Sequence, residues 1–173
     1  MPKAAYYSAT EIWNKIIEIL LTDDYLLGTS GIFTNTRDTT KKDLYYLPLD
    51  AVTIKNYPAM AIVFDGTETI ADNVSITYEE HFINIRFQVA AQNSNLKEAI
   101  TNSINYLEDI KKTIQQVITS GIGFSPNGAG RLATNYSFTG IRPYNTFLPD
   151  SKSLWTSIHE LTMNIRFEDQ AYQ

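Results

Sequence analysis

Cysteine is absent from the 173 residues, which excludes disulfides, thiolate metal sites and thiol nucleophiles together. Histidine occurs only twice, as His81 and His159, so few side chains can act as bases near neutral pH. No His-Glu-x-x-His, no Gly-x-Ser-x-Gly and no Asp-rich calcium loop is present, and an enzyme or a cofactor-bearing protein is therefore not the expectation. Apolar runs fall short of the ~18 residues of a membrane span, and the opening stretch MPKAAYYSATEIW lacks the apolar core of a signal peptide. A soluble chain with no membrane partner is expected. Basic residues are in deficit, 14 against 19 acidic ones, and the formal net charge of −5 disfavours tight binding to nucleic acid or anionic lipid. No low-complexity linker divides the chain, so residues 1–173 are read as one domain.

Two helices stand out by periodicity. Ser8 and Glu11 form a capping box ahead of Trp13, Ile16, Ile17, Leu20 and Leu21, predicting a helix over about 8–22. Asn95 and Glu98 offer a similar start for Ile100, Ile104, Leu107, Ile110, Ile114, Val117 and Ile118, with Gly121 placed to end that helix. Period-two patterns predict strands over about 58–65, 74–90, 133–142 and 154–168. In YPAMAIVFD both alternating faces are apolar, so the first strand should be covered on both sides. The parity of Val74, Ile76 and Tyr78 is opposite to that of Ile83, Ile85 and Phe87, which predicts a bulge or bend near Glu79 and Glu80. The result is an α+β domain in α-β-β-α-β-β order: a mainly antiparallel sheet of two hairpins, helices packed on one face, and long interaction loops.

The tetrapeptide Asn-Ile-Arg-Phe occurs twice, at 84–87 and 164–167. In both strands the flanking alternation puts Ile and Phe on the core face and Asn and Arg on the polar face. Four residues do not separate a duplication from a coincidence within a common strand pattern. Arg86 and Arg166, interleaved with Phe82 and Tyr78, resemble a platform for single-stranded nucleic acid, but the acidic charge and the missing aromatic-rich motif weigh against it. GIGFSPNGAGR, at 121–131, follows a helix and leads into a strand, the reverse of a phosphate-binding loop, and reads as a helix stop with a connector. Adjacent carboxylates such as Asp23-Asp24 point apart in an extended chain and make poor acid–base pairs. Both histidines have core-face parity and read as packed side chains.

Two long segments, 29–56 and 143–153, are too rich in apolar side chains for plain loops. Ile32, Phe33, Tyr45, Tyr46, Leu47, Tyr144 and Phe147 are costly to leave in water, so they must fold back on the domain or cover a neighbour. With 11 tyrosines in the chain, a protein-facing role for some of them is expected, joined by Arg86 and Arg166 on the polar sheet face. The stretch 65–80 reads as a hairpin arm carrying Glu68, Asp72, Glu79 and Glu80 without a compensating Lys or Arg.

The order of elements, with NYPAMAIVFDGTE entering a hairpin, HFINIRFQVAA followed by a capped helix and a second hairpin ending IHELTMNIRFE, resembles the tail terminator (tail completion) proteins of long-tailed bacteriophages. The resemblance spans about 8–168; the long segment 29–56 departs from it. It implies a hexameric ring that sits on the last tube ring, stops polymerisation and presents a surface to the head or neck connector. The partners implied are further copies of the chain, the tail tube protein and the connector, with DNA passing through without specific binding. The location implied is the virion tail, after synthesis in the bacterial host cytoplasm. In such a ring Glu68, Asp72, Glu79 and Glu80 would line the channel and repel passing DNA. Another neck or head–tail completion protein of the same assembly, and a non-enzymatic nucleic-acid-binding sheet module, are the alternatives.

Overall fold

The computed structural model describes residues 9–27, 31–33, 44–70, 79–119, 135–148 and 153–169, the side chains at 67–70, 79–81, 118–119, 135 and 167–169 excepted. In chain order the elements are α1 (Ala9–Thr22), α2 (Asp24–Leu27), β1 (Leu44–Tyr45), β2 (Ala59–Ile70), β3 (Glu79–Asn93), α3 (Leu96–Thr119), β4 (Asn135–Phe138), β5 (Arg142–Phe147) and β6 (Trp155–Asp169). They form an α+β fold around one mixed sheet in the order β1-β2-β3-β6-β4, with β5 also paired to β6. Every pairing is antiparallel except the short β1–β2 contact.

The helices form where apolar residues recur on one face. Ile12, Ile16, Ile19 and Leu20 of α1 and Leu107, Ile110 and Ile114 of α3 are buried against Met60, Ile62, Ile83, Ile85, Phe87, Val89, Leu161, Met163 and Ile165 of the sheet. Asn95 caps α3, its Oδ1 accepting the Lys97 N–H at 2.9 Å. Asp23 caps the short α2 through the N–H groups of Tyr25 and Leu26, both at 2.9 Å, and its other oxygen accepts from the Thr113 hydroxyl of α3 at 2.9 Å. One side chain thus fixes the helix corner to the long helix.

The face away from the helices is covered only in part. Residues 46–57 cross it and bury Leu49, Ala59, Ala61, Val63, Ala90 and Ile158 in a second, smaller cluster. The first strand is therefore buried on both sides, as its two apolar faces require.

Val74, Ile76 and Tyr78, whose parity predicts a bulge near Glu79 and Glu80, lie outside the described residues. β3 pairs with β6 without a shift from Glu79↔Asp169 to Asn93↔Trp155, so there is no bend at Glu79 or Glu80. A bulge is found in β2, where Phe64↔Ile85 is followed by Gly66↔Asn84 and Asp65 is the extra residue. Gly66 has φ 115°, a conformation that side-chain-bearing residues avoid, although the space around it is open. Gly66→Ala should cost about 1–3 kcal/mol through backbone strain alone, read as a shift in urea midpoint. Beyond the bulge the ladder continues to Ile70↔Glu80, so the base of the expected 65–80 arm is ordinary sheet; residues 71–78, Asp72 among them, lie outside the described part.

Two further corrections concern strands. β5 occupies 142–147, half of what reads as a loop over 143–153, and β1 lies inside the 29–56 segment. Pro143 and the register shift between Pro143 and Asn145 disrupt the alternation that would have marked β5.

Candidate interaction surfaces

The two copies of Asn-Ile-Arg-Phe lie side by side. Asn84 pairs with Asn164, and the chains run apart from that point, so Ile85 faces Met163 and Ile83 faces Ile165 across the ladder. The isoleucines are buried under the helices, while Asn84, Asn164, Thr162, Thr139, Arg142, Asp65 and Glu160 line a polar cleft of about 240 Å³ on the opposite face.

Arg86 sits beside this cleft and is not a free surface cation. Its Nη2 donates to Asp65 Oδ1 at 2.8 Å and its Nη1 to Glu160 Oε2 at 3.5 Å. The bulge makes the first contact possible, because it inserts Asp65 as an unpaired residue next to Val63, the cross-strand partner of Arg86. Burial acts to lower the guanidinium pKa, but Asp65 and Glu160 outweigh it and the net shift is upward. The same Glu160 accepts from Gln88 Nε2 at 3.4 Å, and Gln88 Oε1 accepts the Leu49 N–H at 2.9 Å. A polar chain therefore links the bulge to the crossing segment. Arg86→Met should destabilise the fold by about 1–3 kcal/mol, since it leaves two partly buried carboxylates without their cation; Arg86→Lys should recover only part, having no fork to span both. Denaturant midpoints of the two variants test this.

The remaining expected interface residues divide into two groups. Phe33 is fully buried, in edge contact with Tyr106 at 6.0 Å between centroids, and Ile32 is half-buried against the same core. Both are drawn in by their N–H groups, which donate to the carbonyls of Leu26 and Tyr25 at 2.9 Å. This corrects the expectation that they are reserved for a neighbour. Tyr45 and Tyr144 pack on the smaller cluster, and the Tyr144 hydroxyl donates to Asp50 Oδ2 at 2.8 Å, the main cause of its raised pKa. Arg166 is exposed, at the register position facing Phe82. The side chains of Glu68, Glu79 and Glu80 lie outside the described part.

What stays exposed forms two unlike surfaces. At the β1–β2 edge, on the helix side, Tyr46 is 48% exposed and Phe64 37%; Leu47, next to Tyr46 in the chain, is 59% exposed. Trp13 stands between Tyr46 and Phe64 with centroids at 5.8 and 6.1 Å, and these edge-on contacts hold the group as a ridge. On the other face, between the crossing segment and β5, Leu49, Asp50, Val52, Ile54, Tyr57, Asn145, Phe147 and Ile158 line a groove of mixed polarity of about 420 Å³; Leu148 and Leu154 are also exposed. Tyr46 is legible in the sequence as an interface candidate, whereas Trp13 is not, because its helical spacing reads as core.

The chemistry available elsewhere is modest. His159 is buried against Ser103, whose own hydroxyl is held by the Ile100 carbonyl at 2.8 Å, so this serine–histidine pair faces no substrate space. Among the described residues no group of three or more His, Cys, Asp or Glu could hold a metal ion, and no described helix is long and apolar enough to cross a membrane. No protein-family model matches the chain, and no curated protein is similar to it.

Proposed function

We propose that the chain is a structural virion protein: six copies close into a ring that caps the tail tube, ends its polymerisation and joins the tail to the head or neck. The observation that carries this reading is a pair of unlike surfaces on one sheet, an aromatic ridge at the β1–β2 edge on the helix side and a groove of mixed polarity on the other face. A self-complementary dimer uses one patch twice, whereas a cyclic assembly needs two different patches that meet head to tail. The ridge of Trp13, Tyr46 and Phe64, continued in the chain by the exposed Leu47, and the groove beside Phe147 meet that requirement. The order of elements, which resembles that of tail terminator proteins, supports the same reading.

Its partners are then further copies of itself, the tail tube protein and a connector protein, and it resides in the virion after synthesis in the host cytoplasm. The far end of the central ladder gathers acidic positions, Glu79 opposite Asp169 and Glu80 opposite Glu168, with Glu68 in the neighbouring strand. Like charges so placed cost stability within one molecule, which is tolerable where a negative surface serves to repel DNA in a channel. Exchange of Glu68, Asp72, Glu79 and Glu80 for Gln should leave rings intact and slow DNA delivery; unchanged ejection would remove the channel assignment.

Capping is tested by adding the protein to polymerising tail tube protein and imaging the products. Tubes that carry a terminal ring and cease to lengthen are expected. Tubes of undiminished growth with bare ends would refute tube capping, and binding to a head connector alone would move the ring to another neck position.

A further inference from the structure

The polar cleft on the face away from the helices lies across four strands. Asn84 and Asn164 are partners in the central ladder, Thr162 stands two residues earlier on β6, Asp65 flanks them from the β2 bulge, and Arg142 from the start of β5. Among the described residues that line it, none has a wholly apolar side chain.

Its polar groups fall into two sets. The carboxylates of Asp65 and Glu160 are compensated, since Arg86 donates to Asp65 Oδ1 at 2.8 Å and to Glu160 Oε2 at 3.5 Å, and Gln88 adds a bond to the same Glu160 oxygen at 3.4 Å. Thr139 is engaged as well, its hydroxyl oxygen accepting the Thr162 N–H at 3.1 Å. The side chains of Asn84, Asn164, Thr162 and Arg142, by contrast, make no hydrogen bond or ion pair to any described residue. Arg142 is exposed and stands opposite Glu160 in register, but that carboxylate already serves Arg86 and Gln88. The cleft thus holds a cationic fork without a carboxylate, together with three side chains that can each donate a hydrogen bond.

Charge and size narrow what such a set can take. With Arg86 and Arg142 set against Asp65 and Glu160, the formal charges sum to zero, so a ligand is selected by short-range hydrogen bonds and not by a long-range field. The volume of about 240 Å³ is below the ~300–1,000 Å³ of sites for drug-sized ligands and suits a group of a few heavy atoms. A planar carboxylate meets the guanidinium fork through two parallel bonds and carries a single charge. A phosphate group carries roughly −1.5 to −2 near neutral pH and would sit against Asp65 and Glu160 at greater cost.

We propose that the cleft is a binding site for one carboxylate group, gripped by the Arg142 guanidinium and by the amide and hydroxyl donors of Asn84, Asn164 and Thr162. A free small carboxylic acid and an acidic side chain of a partner protein share this chemistry.

Titration of the nitrogen-15-labelled protein with sodium acetate at about pH 7, against sodium chloride at equal ionic strength, is expected to move the side-chain amide signals of Asn84 and Asn164 and the Nε signal of Arg142 along one saturating curve. Arg142→Gln, at an exposed position outside both buried clusters, should keep the fold and weaken the binding at least about tenfold, and Arg142→Lys should restore only part of it. N-acetyl-glutamate amide binding at least about tenfold more tightly than acetate would assign the site to a protein side chain, and comparable affinities would assign it to a free acid. Shifts that grow without saturation, curves unchanged in Arg142→Gln, or tighter binding of inorganic phosphate than of acetate would overturn the proposal.

Discussion

If the chain assembles as proposed, Leu47→Asp is expected to turn rings into monomers while leaving the fold as stable as before. Leu47 is 59% exposed in the single chain and belongs to neither buried cluster, so its loss removes little from folding. In the proposed head-to-tail contact the same side chain would be buried against the groove of a neighbouring copy. Burial of a leucine contributes about 1.5–3 kcal/mol, and a carboxylate forced into that place adds a desolvation cost of at least that size. Each contact would weaken by on the order of 100-fold or more, and a closed ring carries the change at every interface. Light scattering should therefore show the monomer mass at concentrations where the parent chain is oligomeric, with the urea midpoint unmoved. A fall in midpoint without loss of assembly would place Leu47 inside the protomer's own packing network instead.

Phe87→Ala should have the largest effect on the fold itself. Phe87 is fully buried at the end of the first Asn-Ile-Arg-Phe copy, within the main cluster between helices and sheet. Truncation of such a ring costs about 3–5 kcal/mol, the spread reflecting how far the surroundings collapse into the cavity. For a domain of this length that is a loss of on the order of 10 °C in Tm. Three residues away in the strand and on the other face, Asn84 lines the open cleft, and Asn84→Ser should change stability by less than about 1 kcal/mol. Comparable losses at the two positions would contradict the assignment of faces within the repeat.

The parts of the fold legible in the sequence are those whose signal is local. Ile16 and Leu20 repeat with helical period and are buried, although Ile12 and Ile19 share their face where the spacing predicts Trp13, Ile17 and Leu21; Asn95 caps where a cap is needed, and the double apolar face of 58–65 announces a strand covered on both sides. What escaped detection depends on distant partners or broken patterns. Two-residue β1 exists because Leu44 meets Met60, and α2 has only four residues, too few to show a period. β5 is hidden by its proline and by a surface exposed on both sides. Phe33 illustrates a deeper limit: hydrophobicity states that a side chain must be covered, but not whether its own core or a neighbour covers it. Arg86 shows the same for charge, since its partner Asp65 reaches it only through a bulge in β2 that the doubly apolar alternation of that strand does not announce.

The absence of native cysteine makes the central claim directly testable. A double variant carrying Leu47→Cys and Phe147→Cys puts one thiol beside the ridge and one at the groove. Mild oxidation of the assembled protein is predicted to give an intermolecular ladder that stops at six chains, with neither single variant forming more than traces of dimer. Efficient dimers from either single variant would show a self-complementary contact, and an uncrosslinked monomer from the double variant would show that the two surfaces do not meet; either result contradicts the head-to-tail ring.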